Sequence, residues 1–262
     1  MKTRFASFLI DQPGRKAAIW IRAAWMFLMA SLLCCGVMSW AAGFSSGAWD
    51  SVWKYRDVFW KGWGLTIVIS VFSLLLSTLI GVVAALARRS RILPIRSVAL
   101  LYIDVVRGTP LLVLILFLYY VVADGIGLQD RFVAGILILS LFGGAYLAEI
   151  VRSGIEAIPA SQLESARAIG FTPWQTYRYV IIPQALRQIL PPLAGQFASL
   201  IKDSSLLSII AIGEFTLAAQ QVNSATYRTL ESYLPLALGY LVLTLPISLF
   251  SKSLEQRLRF EN

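Results

Sequence analysis

From Trp63 to Ala87 the chain reads WGLTIVISVFSLLLSTLIGVVAALA, 25 residues without a charged side chain. As a helix, at ~1.5 Å per residue, this run would reach about 37 Å, more than the ~30 Å hydrocarbon core of a bilayer. Lipid offers no partner to a backbone N–H or C=O, so a spanning segment must satisfy its own hydrogen bonds. An unbroken apolar run does that as a helix. Five further segments of about 20 mostly apolar residues also qualify: roughly 19–43, 97–121, 132–153, 186–210 and 233–251. With 58% hydrophobic and only 14% charged residues, and a mean hydropathy of +0.72, the whole chain is an all-α integral membrane protein.

The net charge of +9 would suggest nucleic acid in a soluble protein. Here it is better read as basic residues crowding one side of the membrane. Lys2, Arg4, Arg15, Lys16, Arg88, Arg89, Arg91, Arg96, Arg152, Arg167, Arg178, Arg187, Lys252, Arg257 and Arg259 fall on one side. Lys54, Arg56, Lys61, Arg131 and Arg228 fall on the other. The excess places both termini in the cytoplasm. Residues 44–62 then face outward, where Trp49, Trp53, Trp60 and Trp63 suit an interfacial helix at headgroup level. The first apolar segment is too long for a cleaved signal and reads as an uncleaved anchor. The chain has no His, which removes imidazole chemistry and the commonest metal ligand. Cys34 and Cys35 are adjacent in an apolar run and read as packing residues.

Between the fourth and fifth apolar segments lies ESARAIGFTPWQTYRYVIIP, Glu164 to Pro183. Ser161 and Glu164 have the spacing of a capping box, and Leu163, Ala166 and Ile169 give the helix an apolar side. Gly170 stands where a left-handed residue ends helices. Thr172 caps a second helix with Pro173 at its first position and Gln175 closing another box. Trp174, Tyr177, Val180 and Ile181 lie near one face, and Pro183 stops or kinks the run. The pattern encodes helix, tight turn, helix. It fits both an interfacial element resting on headgroups and a rigid knob that passes force from a cytoplasmic partner.

This segment resembles the "EAA" loop of ABC importer permeases: Glu-Ala-Ala, three residues, Gly, nine residues, then Ile-x-Leu-Pro. Here stand Glu164-Ser165-Ala166, Gly170 and Val180-Ile181-Ile182-Pro183, with small or aliphatic exchanges at Ser165, Val180 and Ile182. RGTPLL (107–112), GAYLAEIVRSGIEAIP (144–159) and LIKDSSLLSIIAIGE (200–214) resemble permeases for polar amino acids and opines. The likeness covers about residues 60–255. It implies a five-helix type I importer core, so the first apolar segment is an extra N-terminal helix. Residues 1–60 would hold the tail, that helix and the outward segment. Residues 61–262 would form the permease domain, with coupling segment 159–183. The resemblance also implies an ABC ATPase dimer, a second permease subunit, an extracytoplasmic binding protein and a location in the bacterial inner membrane. The ATPase contact would fall on Glu164, Ser165, Ala166, Gly170 and Pro183. Independently, the chain lacks G-x-x-x-x-G-K-[ST], so any ATP, with its Mg, must be bound by a separate subunit, and no cofactor is expected in this chain.

Charges within spans are rare and face a cavity or each other. Asp104 and Arg107 are three residues apart and share a face, with Arg107 near mid-depth if its helix runs straight. Pro110 would kink that helix. Lys202 and Asp203 sit at similar depth in the fifth apolar segment. Both pairs admit two readings, structural pairing and contact with substrate. Glu149 and Arg152 pair near the cytoplasmic end of their span and suit structure or gating, while Gly143 and Gly144 would allow close helix packing. Glu214 and Gln220–Gln221 would sit at the outer mouth, where a binding protein could dock.

The leading expectation is therefore a transport subunit, not an enzyme, for small polar amino acids. An ion-coupled secondary transporter is the alternative. It would call for an inverted repeat and a deep carboxylate or His relay, and the sequence displays neither.

Overall fold

A computed structural model describes residues 48–258, and all of them belong to one compact unit that begins at Gly47. A short helix α1 (Ala48–Trp53) precedes the long α2 (Arg56–Arg88). Trp60 and Trp63 thus belong to α2 rather than to a separate interfacial helix. Trp63 donates its indole N–H to the Gly239 carbonyl at 3.4 Å, while Trp53 and Trp60 are exposed. Then come α3 (Leu93–Gly108), α4 (Leu111–Phe117) with a wide π-type turn to Ala123, and α5 (Arg131–Glu156). Helix α6 (Ala160–Ala168) and a short α7 (Pro173–Gln175) lead through a second wide turn (Thr176–Ile181) into α8 (Ile182–Asp203). A 3-10 stretch (Ser204–Ile210), α9 (Phe215–Thr226) and α10 (Thr229–Leu258) complete the unit.

Three of these helices, α2, α5 and α10, are long and apolar enough to cross a membrane. Two bent pairs raise the number to five if each is one span. That is the five-helix core expected from the sequence; the segment 19–43 lies outside the described residues. The bends follow from local chemistry. Thr109, pressed by the ring of Pro110, is held extended at φ −108°, ψ 135°. The helix therefore ends there instead of kinking, and α4 leaves α3 at 113°. The second pair bends by 50° where the chain turns left-handed at Ala211 (φ 59°).

Helix α2 packs most extensively against α5. Lipid tails are as apolar as leucine, so burial alone cannot hold two helices together in a bilayer. Close packing and interhelical hydrogen bonds must do it. Thr66, Ser70, Ser73 and Ser77 recur every three or four residues on α2 and are all fully buried. Ser77 Oγ donates to the Ser140 carbonyl at 3.2 Å and Ser73 Oγ to the Ile136 carbonyl at 3.4 Å. Such bonds contribute about 0.6 kcal/mol each. Glycines let the backbones meet: a Cβ on Gly81 would stand 2.6 Å from Leu147 Cβ, and one on Gly144 2.7 Å from Ile80 Cγ2. The expected close packing at Gly143–Gly144 is therefore present, and α2 is the partner.

Above that seam, Ile69, Leu111, Ile115, Ile138, Leu139, Leu207, Ile210 and Ile212 form the main apolar cluster, where α2, α4, α5 and the 3-10 stretch meet. Helix α8 packs on α10, and Ser251 Oγ of α10 donates to the Pro191 carbonyl of α8 at 2.7 Å.

Candidate functional site

The segment between α5 and α8 is a helical knob, built differently at its two ends from the sequence expectation. Helix α6 starts at Ala160 with Pro159 as its N-cap, and no side chain caps it. Pro159 carries the backbone into the helix early (φ −59°, ψ 141°), so Ser161 falls inside α6 and its capping box with Glu164 does not form. The far end of α6 matches the glycine expectation. Gly170 has φ +79°, its N–H bonds the Arg167 carbonyl at 3.0 Å, and the Phe171 N–H bonds the Ala166 carbonyl at 3.0 Å. These two bonds make a Schellman ending, which needs a left-handed residue where Gly170 stands. The second capping box is complete: Gln175 N–H donates to Thr172 Oγ1 at 3.3 Å, and Thr172 N–H donates to Gln175 Oε1 at 2.8 Å.

Beyond Gln175 the backbone widens into the π-type turn Thr176–Ile181. Pro183 follows at the start of α8 and does not stop the run. A proline has no N–H to give to a carbonyl one turn back, and a widened turn just before it absorbs the missing bond. The widening also rotates the expected apolar face. Ile181 is buried, whereas Trp174 (69%), Tyr179 (61%) and Ile169 (70%) are exposed, with Tyr177 on the surface as well. On α6, Ala166 is the buried residue, and Glu164, Ser165 and Gly170 are exposed. The helices of the knob are tied by the Gln184–Gln162 side-chain hydrogen bond at 3.4 Å and by the contact of the Phe171 and Tyr179 rings, 6.2 Å between centroids.

Near the end of α5 that leads into the knob, a charge cluster is centred on Glu149. Arg152 Nη2 approaches Glu149 Oε2 at 2.7 Å, and Arg88, the last residue of α2, hydrogen-bonds Glu149 Oε1. Arg107 Nη1 reaches the same oxygen at 3.6 Å and stacks over Tyr146 at 5.6 Å. Arg152 also pairs with Glu156. The Glu149–Arg152 pair expected from the sequence is present, within a larger group. The Asp104–Arg107 pair is not: among the described residues Asp104 makes no ion pair, and Arg107 turns to Glu149 instead. Nor does the straight-helix premise behind a mid-depth Arg107 hold. The 113° break after it means that α3 does not run on along α4, and Arg107 shares a carboxylate with the terminal residue of α2. By sequence Arg88 is only a loop charge, because its partner is 61 residues away.

Lys202 and Asp203 also make no ion pair with each other. Consecutive helical residues point about 100° apart, so adjacency in sequence does not pair them. Glu214 is not at a docking surface. It is fully buried as the N-cap of α9, accepting the Thr216 and Leu217 N–H groups at 2.9 Å each and the Tyr240 hydroxyl at 2.9 Å. Gln220 and Gln221 are exposed on α9. That helix has its own signature, an acidic cap followed by buried Phe215, Ala218, Ala219 and Val222 at helical spacing.

A crossing bundle of five spans, with a capped knob between the third and fourth, defines a membrane transport subunit. Residues 77–260 match the family described as the binding-protein-dependent transport system inner membrane component, and the chain belongs to that family of ABC importer permeases. It is 35% identical over 213 residues to the glutamine transport system permease protein GlnP of Escherichia coli (strain K12), covering 80% of this chain and 97% of that protein. Against the L-cystine transport system permease protein TcyB of Bacillus subtilis (strain 168) the identity is 35% over 215 residues, covering 80% and 91%. A solved amino acid ABC transporter crystallised with histidines has a chain 39% identical, superposing with a TM-score of 0.74 over 79% of this chain and 97% of that one. The MetNI methionine ABC transporter in an inward-facing form superposes at 0.62 with 19% identity, over 80% and 98% of the two chains, and shares the fold.

Proposed function

We propose that this chain is the permease subunit of an importer for polar amino acids, driven through its knob by a separate ATPase. The observation that carries the coupling role is the knob's construction. It has a Schellman turn at Gly170 and a closed capping box at Thr172–Gln175, yet it leaves Ile169, Trp174 and Tyr179 uncovered. A rigid helix pair with an exposed apolar and aromatic surface suits a groove on a protein partner. Glu164, Ser165, Ala166, Gly170 and Pro183 are the positions proposed to couple. The excess of basic residues supports a cytoplasmic position for the knob and both termini. Relatives named for glutamine, cystine and arginine support a polar amino acid as cargo. A second permease copy, a pair of ATPase subunits holding ATP and Mg, and an extracytoplasmic binding protein complete the proposed assembly.

For the path, Lys202 is the better candidate to meet an α-carboxylate. It is exposed and, among the described residues, makes no ion pair, whereas Arg107 already shares Glu149. Glu149 and Arg152, which tie α2, α3 and α5 at one end, are proposed as a latch that opens with the knob.

The test is co-purification of the ATPase with Gly170→Asp and Glu164→Arg permeases, followed by substrate-stimulated hydrolysis in proteoliposomes. Both variants are expected to insert and dimerise but to lose ATPase association or to uncouple hydrolysis from uptake. Wild-type association and coupling in both would return the knob to a headgroup-resting role.

A further inference from the structure

Helices α2 and α3 are joined by the four residues Arg89–Ile92 and diverge from that turn. Between them lies a cleft of about 700 Å³. Ile80, Val83 and Ala84 line one wall; Pro94, Val98 and Tyr102 line the other. The one polar side chain among these, Tyr102, spends its hydroxyl on the Leu141 carbonyl at 2.6 Å and so closes the far end with its ring. At the narrow end the chemistry reverses. Arg89 and Arg91 lie in the connecting turn and Arg96 in the first turn of α3, all three exposed. Among the described residues none of them makes an ion pair, while their neighbour Arg88 is taken up by Glu149.

We propose that this cleft is a binding site for an anionic phospholipid, with an acyl chain between α2 and α3 and the headgroup phosphate on Arg89 and Arg91. An apolar slot that ends in unpaired guanidinium groups matches the two halves of such a lipid. Guanidinium donors suit phosphate oxygens geometrically as well as electrostatically, and basic pockets between membrane helices hold acidic headgroups. A zwitterionic lipid offers the same acyl chain with no net charge, so selectivity rests on the arginines. The bound chain would also cover Val83 and Val98, which are 57% and 67% exposed. It would wedge α3, and with it Arg107, against α5.

The test uses the full chain in phosphatidylcholine nanodiscs containing phosphatidylglycerol with a diazirine on one acyl chain. Phosphatidylcholine with the same diazirine serves as the matched probe. After photolysis, label is mapped by mass spectrometry. Peptides spanning residues 79–102 are expected to carry on the order of twentyfold more label from phosphatidylglycerol, competed by unlabelled phosphatidylglycerol and not by inorganic phosphate. An arginine near an anionic headgroup favours binding by on the order of fivefold. The R89Q/R91Q double variant should therefore lose on the order of twentyfold in selectivity, approaching the phosphatidylcholine level. Val98→Trp, which fills the slot at an exposed position, should reduce label from both lipids. Equal labelling by the two lipids in the unaltered protein would overturn the proposal, and that comparison needs no variant. Competition by inorganic phosphate, or protection of 79–102 from both lipids because a second permease chain occupies the cleft, would overturn it as well.

Discussion

Replacing Glu149 with Gln tests whether the charge cluster holds three helices together. The side chain is 15% exposed, and it faces guanidinium groups from Arg88 on α2, Arg107 on α3 and Arg152 on its own helix. Gln keeps the shape, but removes the one carboxylate that all three share, leaving Glu156 to balance Arg152 alone, and turns an amide N–H₂ toward one of them, donor against donor. At an effective dielectric of about 20, a pair at ~4 Å is worth about 4 kcal/mol. The arginines are 28–41% exposed, so solvent screening reduces each close pair to about 1–1.5 kcal/mol. Two close pairs then give a loss of about 2–3 kcal/mol. At about 2–4 °C per kcal/mol for a chain of this size, the melting midpoint in detergent should fall by roughly 4–12 °C. Arg107→Gln is the internal control. Its pair is longer, at 3.6 Å, and its side chain is 41% exposed, so it should shift the midpoint far less. Adding Arg88→Gln to Glu149→Gln should recover part of the loss, because one stranded guanidinium is removed. The assay is loss of monodisperse elution after heating. A wild-type midpoint for Glu149→Gln, or an Arg107→Gln as damaging as Glu149→Gln, would refute the latch.

Three other substitutions probe separate features. Gly81→Val places a branched side chain where a Cβ alone would sit 2.6 Å from Leu147 Cβ and 3.0 Å from the Gly144 carbonyl; folded yield should fall sharply, as overpacking costs about 1–3 kcal/mol, and unchanged yield would contradict the α2–α5 seam. Glu214→Ala leaves the Thr216 and Leu217 N–H groups and the Tyr240 hydroxyl without an acceptor, with an expected loss of about 2–4 kcal/mol read as faster hydrogen exchange through α9. Tyr227→Gly relieves a left-handed residue (φ 54°) that is 88% exposed, so the midpoint should rise slightly, by the equivalent of about 0.5–1 kcal/mol.

Local chemistry was legible where neighbours in sequence are neighbours in space. The Schellman turn at Gly170 and the Thr172–Gln175 box each complete their hydrogen bonds within six residues, so residue type and spacing suffice. The Ser161–Glu164 box failed because Pro159, two residues earlier, started the helix first. Charge partners were legible only within one helix. Glu149 and Arg152 are one turn apart and meet; Arg88 and Arg107 reach the same carboxylate from other helices. Helix α9 carries a weak sequence signal because its twelve residues are too few for a span and half of its buried residues are alanine.

The sequence by itself determined that the chain lives in lipid, because uninterrupted apolar length leaves the backbone no other way to satisfy its hydrogen bonds. It also determined the helix–turn–helix knob and the family to which the chain belongs. Only the tertiary structure decided which polar groups share a site. Apolar length sets how far a helix can reach but not its direction after a break, and the 113° turn at Thr109–Pro110 directs α3 so that Arg107 meets Glu149. Helix crossing likewise decided that the buried serines of α2 face Ile136 and Ser140 of α5, since small residues permit close approach without specifying which helix approaches.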